Sequence, residues 1–335
     1  MRALVCKTWG LPETLVVEDR SDPVAGPGQA VIRVHAAGVN FPDALIIQNK
    51  YQFTPALPFV PGSECAGVVE SVGAGVSRVK PGDRVIAVTE SGAFAEKVAA
   101  SAEALTPLPE DVDFATGSAF LLTYGTAYHA LAGRAALKQG EVLLVLGAAG
   151  GVGIAAIEIG KALGARVIAG ASSAGKRDIC RAHGADEVID YAAAELKPAL
   201  GALTAGKGVD VVFDPVGGPF TEAALRNCAW RGRHLVIGFA TGEIPRVPAN
   251  LTLLKGCSLI GVFWGRYIKT EPGAWASDLQ TLFKWLREGQ LRPHVAQRYS
   301  LERGAEALTA LLARTAIGKL VITPVAGDSH ESRGA

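Results

Sequence analysis

The sequence predicts a chain of class α/β plus β: a β-rich first third, then a parallel sheet of six strands with helices on both faces. Three observations predict it. Short β-branched runs separated by Gly/Pro turns fill the first hundred or so residues. From about residue 119, fully apolar runs alternate with helical ones. A small-residue loop, "LGAAGGVG" at 146–153, opens that alternation in mid-chain.

The early strands are "MRALVCK", "TLVVEDR", "QAVIRVHAAGV", "ECAGVVESVGAGV", "DRVIAV" and "AFAEKVAA". Turn chemistry at 26–29 (GPGQ), 61–64 (PGSE) and 80–84 (KPGDR) separates them, which argues for a barrel or sandwich. The segments "GVNFPDALIIQNKYQF" and "TPALPFVPG" read as loop and short helix. In the second part the strands are 142–146, "RVIAG", "EVID", "VDVVFD", "HLVIGF" and "CSLIGVFW". The helices between them are "VGIAAIEIGKALGA", ended by Gly164, then "KRDICRAHG", "AELKPALGALTAG", "GGPFTEAALRNC" and "PANLTLLKG". Two more helical segments, 273–288 and 301–314, are followed by "HVAQRYS" and "GKLVITP". These have no room in a completed six-stranded sheet, so they are expected to pack back on the first domain. The expected domains are therefore 1–118 with 265–335, and 119–264. The polar tail "GDSHESRGA" is expected to be disordered.

Composition excludes several functions. Hydrophobic residues make up 49% of the chain, enough for a large core. A net charge of +1 recruits neither nucleic acid nor an anionic membrane. No long apolar run predicts a membrane span, and the start "MRALVCKTWG" shows no secretory pattern. The five cysteines, Cys6, Cys65, Cys180, Cys228 and Cys257, are dispersed and form no C-x-x-C. They read as buried free thiols in a reducing cytoplasm.

Ala148-x-Gly150-x-x-Gly153 is a dinucleotide fingerprint in its proper setting, an apolar strand before it and a helix directly after. Gly150 lets backbone approach a pyrophosphate, the helix start supplies N–H groups, and Gly153 lets the helix pack on the strand. An NAD site places an acid after the second strand to bind the ribose hydroxyl. That place reads "VIAGASSAGKR" and holds no acid. Ser172, Ser173, Lys176 and Arg177 gather hydroxyls and positive charge there, which suits a 2′-phosphate. The expected cofactor is NADPH. Ser172 or Ser173 is also a natural helix N-cap.

With these motifs in view, the chain resembles the zinc-free quinone oxidoreductase branch of the medium-chain dehydrogenase/reductase superfamily. The resemblance is carried by "AAGVNFPD" (36–43), "PGSECAGVVESVG" (61–73), "VKPGDRV" (79–85), "LTYGTAYHAL" (122–131), "GAAGGVG" (147–153), "DPVGG" (214–218) and "LVIGFATGEIPRVPANLTLLKG" (235–256). It implies a GroES-like β-barrel catalytic domain, completed by C-terminal residues, with an inserted six-stranded Rossmann domain. It implies cofactor contacts from Asn40 and Thr126 at the nicotinamide, and from Ala149, Gly150, Gly151, Val152 and Gly153 at the pyrophosphate. Gly170, Ser172, Ser173, Lys176 and Tyr191 would surround the 2′-phosphate end. Gly238 and Phe239 follow the fifth strand, and Phe263 and Trp264 the sixth. Tyr51 matches a family tyrosine near the substrate and is the candidate catalytic residue. The substrate pocket would hold Leu45, Tyr51, Phe263 and Trp264, with Leu45 standing where the family has a second tyrosine. A family arginine near the sixth strand is replaced by an apolar residue around Phe263.

Zinc alcohol dehydrogenases of the same superfamily carry Cys in G-V-C-H-x-D and His in G-H-E. Those places hold Asn40 and Ser63. Amide and hydroxyl groups are poor ligands for Zn²⁺, so no metal is expected. The expected reaction is NADPH-dependent reduction of a quinone or α,β-unsaturated carbonyl, whose conjugation delocalises the charge it gains. The alternatives are an enoyl-thioester reductase and an NADPH-binding protein with a crystallin-like or RNA-binding role. The expected assembly is a homodimer through the Rossmann sheet edge, because "CSLIGVFW" is apolar and lies last.

Overall fold

A computed structural model describes residues 1–191 and 196–324. The tail expected to be disordered, 327–335, lies outside the described residues, as does the start of the helix expected from "AELKPALGALTAG". The chain divides into two compact units, residues 1–121 with 295–324, and Leu122–His294.

The first unit is built on antiparallel pairing. Strands β1 (Arg2–Val5) and β2 (Val16–Asp19) pair with each other. The long β3 (Gln29–Val39) is followed by a short helix, α1 (Phe41–Ile46). Next come β4 (Glu64–Val72), β5 (Arg84–Val88), β6 (Lys97–Ser101) and β7 (Leu105–Pro107), then helix α2 (Phe114–Ser118). Strand β3 serves three partners: β4 along its length, β6 at its start and a late strand at its end. Its register against β4 shifts twice, which bends the ribbon. One apolar core gathers around Leu4, Ile32, Val34, Ile47, Phe94 and Leu105.

Helix α3 (Leu121–Tyr128) leads into the second unit and continues as a π-helical turn, His129–Arg134. The unit then alternates as expected: β8 (Val142–Val145), α4 (Gly151–Ala162), β9 (Arg166–Gly170), α5 (Ala174–Ala182), β10 (Glu187–Ile189), α6 (Leu196–Leu203), β11 (Val209–Asp214), α7 (Pro219–Arg226), β12 (Cys228–Val236), α8 (Asn250–Lys255) and β13 (Ser258–Gly261). All pairs are parallel, in the order β10-β9-β8-β11-β12-β13. The strand order reverses between β8 and β11, so the ligand crevice of such a sheet lies outside their carboxyl ends. Leu143, Leu144 and Val145 are fully buried there, which is why β8 is apolar on both faces.

Two boundaries differ from the sequence reading. The helix expected to run through Cys228 stops at Arg226, because Cys228 already pairs with Val209. The last strand stops at Gly261, and Trp264 begins a helix, α9 (Trp264–Thr270), followed by α10 (Pro272–Arg287). The sequence reading places 265–294 with the first domain, whereas these residues group with the second unit. Their aromatic stripe finds partners there: Tyr267 stacks on His129, and Trp285 meets Tyr128 edge-on. The chain then returns to the first unit as β14 (Val295–Ser300), α11 (Gly304–Leu312) and β15 (Lys319–Thr323). Strand β15 lies antiparallel to β3 and parallel to β14. No helix among the described residues is long and apolar enough to cross a membrane.

Candidate functional site

In the second unit the candidate site is made of backbone. Gly147 turns the chain out of β8 at φ +57°. The loop is pinned by Ala148 N–H to Gly170 O at 3.0 Å and Gly150 N–H to Gly147 O at 3.0 Å. A methyl group at 153 would lie 2.5 Å from Gly147 O and 2.7 Å from Ala148 Cα, so only glycine fits. At Gly150 the nearest atom to such a methyl is Gly147 O at 3.4 Å, so this side of the loop stays open. Ala149 is buried, while Gly151 and Val152 are half-buried at the start of α4. The first turn of α4 carries no acid, leaving its N–H groups and the positive end of the helix dipole for an anion.

This helix is held from behind by a residue that sequence reading misses. The buried Glu158 accepts from Tyr124 Oη (2.7 Å) and the Arg292 amide (2.9 Å), and meets His183 Nδ1 at 2.6 Å. Burial and the Glu158 charge push the Tyr124 phenol well above its usual range, so it serves as a fixed donor. The signal of Glu158 in the sequence is one acid on a helix whose remaining residues, Lys161 apart, are small or apolar.

At the end of β9, Tyr191 covers Gly170: a methyl there would meet its ring at 2.8 Å. Ser173 is the N-cap of α5, its Oγ accepting from the Lys176 amide at 3.4 Å. Among the described residues nothing accepts its hydroxyl proton. Arg177 pairs with Asp190 at 2.5 Å, so that acid is neutralised by the cationic cluster itself. Ser172 is exposed and Lys176 half-buried beside them.

On the other side of the crevice Asp214 shapes the "DPVGG" turn. It accepts from the amides of Val216 and Gly217 (2.9 Å each), from Thr221 Oγ1 (2.6 Å), and meets His234 Nε2 at 3.1 Å. Burial pushes its carboxyl up, but these hydrogen bonds outweigh burial and hold it below its usual value. Gly238 follows, its amide 3.4 Å from Asp214 O, and the Phe239 ring lies against Gly217. Phe263 is 57% exposed. Trp264 is buried with its indole on Gly125, next to the half-buried Thr126, and edge-on to Trp275 at 5.3 Å. Trp264 is therefore packed behind Thr126's neighbour Gly125, and Phe263 is the accessible ring of the two.

The first unit holds a different arrangement, a buried polar cluster. Asn40 N-caps α1, and its amide N–H reaches Asp43 Oδ2 at 2.8 Å. Its Nδ2 donates to Gly38 O (3.2 Å) and Glu64 Oε2 (3.3 Å), and its Oδ1 accepts from Lys319 Nζ at 2.6 Å. Ser63 Oγ donates to Asp43 Oδ1 at 2.8 Å. Lys319 stands 3.6 Å from Glu64. Burial pushes the Asp43 carboxyl up to about 6 and draws the Lys319 ammonium down. Tyr51 and Leu45 are half-buried in this unit, and burial first, then the Asp43 charge, pushes the Tyr51 phenol up. Sequence reading finds Asn40 and Ser63 but misses Asp43, Glu64 and Lys319 as their partners.

The cluster does not fit zinc. The places of the superfamily's ligands offer an amide oxygen and a hydroxyl, and an ammonium already occupies the amide oxygen. Among the described residues no group of three or more His, Cys, Asp or Glu side chains is arranged to hold a metal ion.

Comparison with known proteins agrees with this layout. The family described as alcohol dehydrogenase GroES-like domain matches residues 26–110, and that described as zinc-binding dehydrogenase matches 151–284. The chain is 38% identical over 325 residues to the quinone oxidoreductase-like protein 2 homolog of Nematostella vectensis, covering 96% of this chain and 88% of that protein. Among solved structures it is similar to the Escherichia coli quinone oxidoreductase complexed with NADPH (TM-score 0.91, 29% identity, 97% of this chain and 100% of that one). It is likewise similar to the Thermus thermophilus quinone oxidoreductase, solved also with NADPH (TM-score 0.83, 33% identity, 97% and 100%).

Proposed function

This chain belongs to the quinone oxidoreductase family of the medium-chain dehydrogenase/reductase superfamily, and from that premise we propose that it is an NADPH-dependent, metal-free reductase of quinones or α,β-unsaturated carbonyls. The family implies oxidoreductase activity. The observation that carries the finer reading is the Gly147–Gly153 loop with Ser172, Ser173 and Lys176 beyond it and no unpaired acid between them.

When bound, NADPH supplies the hydride. The amides of Ala149–Gly153 hold its pyrophosphate, and Tyr191 covers the strand end at Gly170. Ser172, Ser173 and Lys176 take the 2′-phosphate. Gly238, Phe239 and Thr126 belong to the nicotinamide half. Asn40 has committed both amide hydrogens and one lone pair, so it meets the nicotinamide carboxamide as an acceptor. We assign Tyr51 as the donor to the acceptor oxygen, and Leu45, Phe263 and Trp264 as the residues that make the substrate's surroundings apolar. An enone or quinone spreads the charge it gains, so a hydroxyl donor suffices where a simple ketone would need a Lewis acid.

A homodimer through β13 completes the proposal. That strand ends the sheet, and Leu259, Trp230 (73% exposed), Leu253 (80%) and Leu254 (70%) make its surroundings apolar. The five cysteines are buried free thiols, which suits the reducing cytoplasm. The balanced charge supports a small-molecule partner over nucleic acid.

The test is oxidation of NADPH and NADH against ortho- and para-quinones, 2-alkenals, enones and enoyl-CoAs. NADPH-dependent turnover of a quinone or enone is expected. Equal or better use of NADH overturns the 2′-phosphate assignment, and stoichiometric zinc in the purified protein overturns the metal-free one.

A further inference from the structure

Hydride addition leaves an oxyanion that needs a proton. The buried cluster of the first unit is arranged to hold one. It contains two carboxylates, Asp43 and Glu64, and one ammonium, Lys319, all essentially sealed from water. Sealed charges of unequal number are costly, and one bound proton makes the cluster neutral. Lys319 stands 3.6 Å from Glu64 and bonds Asn40 rather than Asp43, so the ammonium offsets Glu64. Asp43 is left to carry the proton. Burial is the main force raising its carboxyl to about 6, and the Glu64 charge adds to it. The Asn40 amide, the Ser63 hydroxyl and the Lys319 charge pull the other way. The Tyr51 phenol is the further titratable group in electrostatic reach. On α11, which packs on α1, Glu306 is exposed and paired with Arg303.

Ser63 is the natural outlet. Its hydroxyl donates to Asp43 Oδ1, and among the described residues no donor reaches its oxygen. When Asp43 is protonated that bond reverses: the carboxyl donates to Ser63 Oγ, and the serine hydrogen is released for another acceptor. The Asn40 amide bond to the other carboxyl oxygen holds Asp43 in place in both states.

We propose that Asp43 stores the proton that completes the reduction and that Ser63 hands it to the substrate oxyanion. This rests on the reductase reading above. The balance is simple. The hydride brings both electrons. The Ser63 O–H bond breaks as its proton passes to the oxyanion, and the Asp43 O–H bond breaks as its proton passes to Ser63 Oγ. Asp43 is left as a carboxylate and is reprotonated by the reverse transfer through Ser63, whose hydroxyl takes up the new proton. The acid form is the working form, so kcat is high below about 6 and falls as pH rises through it.

The test uses the full-length protein and two readouts. In turnover with NADPH and an enone, Ser63→Ala should lower kcat about 100-fold, leave the KM for NADPH unchanged and lose the limb near the Asp43 value. Ser63→Thr should restore both. Independently, infrared titration of the cofactor-free protein should show a buried carboxyl band that disappears as pH rises through about 6 and is missing in Asp43→Asn. Wild-type kcat and pH profile in Ser63→Ala overturn the proposal. So does a carboxyl band that fails to titrate, or an equal loss of NADPH binding in both serine variants. If the wild type turns over no quinone or enone, the reductase reading fails, and the infrared titration decides the proton store by itself.

Discussion

The Gly loop of the second unit and the polar cluster of the first are opposite ways to build a site. The loop spans the consecutive residues 147–153 and works through backbone: a turn, open amides and a helix dipole. The cluster works through side chains and joins Asn40 to a lysine 279 positions away. The loop tolerates no added atom on its packed side, whereas the cluster tolerates no missing charge. Errors in the two should therefore differ in kind, and variants can separate them.

The largest effect belongs to the cluster. Lys319→Met leaves Glu64 buried without its ammonium and should destabilise the protein by about 3–5 kcal/mol at neutral pH, read by denaturant unfolding. Without the Lys319 charge the Asp43 carboxyl, already raised by burial, titrates higher still. Its contribution to stability is present at low pH and lost as pH rises through the folded value. The variant should therefore recover much of its stability on acidification, and a loss independent of pH would contradict the charge argument.

Next come the two glycines of the loop. Gly153→Ala puts a methyl against backbone and should cost about 1–3 kcal/mol with broad loss of NADPH binding. Gly150→Ala meets nothing closer than 3.4 Å and should fold normally. Its NADPH affinity, measured by fluorescence titration, should still fall about tenfold, since the methyl occupies the space a pyrophosphate needs. Equal stability losses in both would mean that Gly150 is structural.

Smallest is the cationic end. Lys176→Ala should raise the KM for NADPH about tenfold, the effect of losing one charge-assisted hydrogen bond, and leave NADH nearly unchanged. A parallel change for both cofactors would make Lys176 a support for α5. Ser173→Ala removes the N-cap and should cost about 1 kcal/mol of stability with either cofactor.

The same contrast explains what can be read from the sequence. The loop is legible because its chemistry is local: Ala148, Gly150 and Gly153 stand at fixed offsets between a strand and a helix. The six parallel strands are legible because burial on both faces makes them apolar throughout. Residues that act through distant partners are not. Asp43 stands only as the last residue of "AAGVNFPD", and Lys319 only as one residue of the β-like run "GKLVITP". Only the antiparallel pairing of β15 with β3 brings them together. The cationic "ASSAGKR" is legible as a cluster, but the capture of Arg177 by Asp190 depends on the neighbouring strand. Trp264 reads as a pocket residue, and its burial on Gly125 follows from where the chain turns after β13.

The return of β15 to β3 bears on how the chain is made. During synthesis the strands of the first unit emerge first, but their interior acids must wait for a lysine near the far end. The second unit lies between, pairs its six strands with one another, and can fold while the ribosome is still adding the rest. The first unit is thus the last to be completed, although it is the first to be translated. A nascent chain halted before residue 319 should carry a folded Rossmann unit tethered to an unfinished barrel, with its carboxyls still protonated or exposed to water.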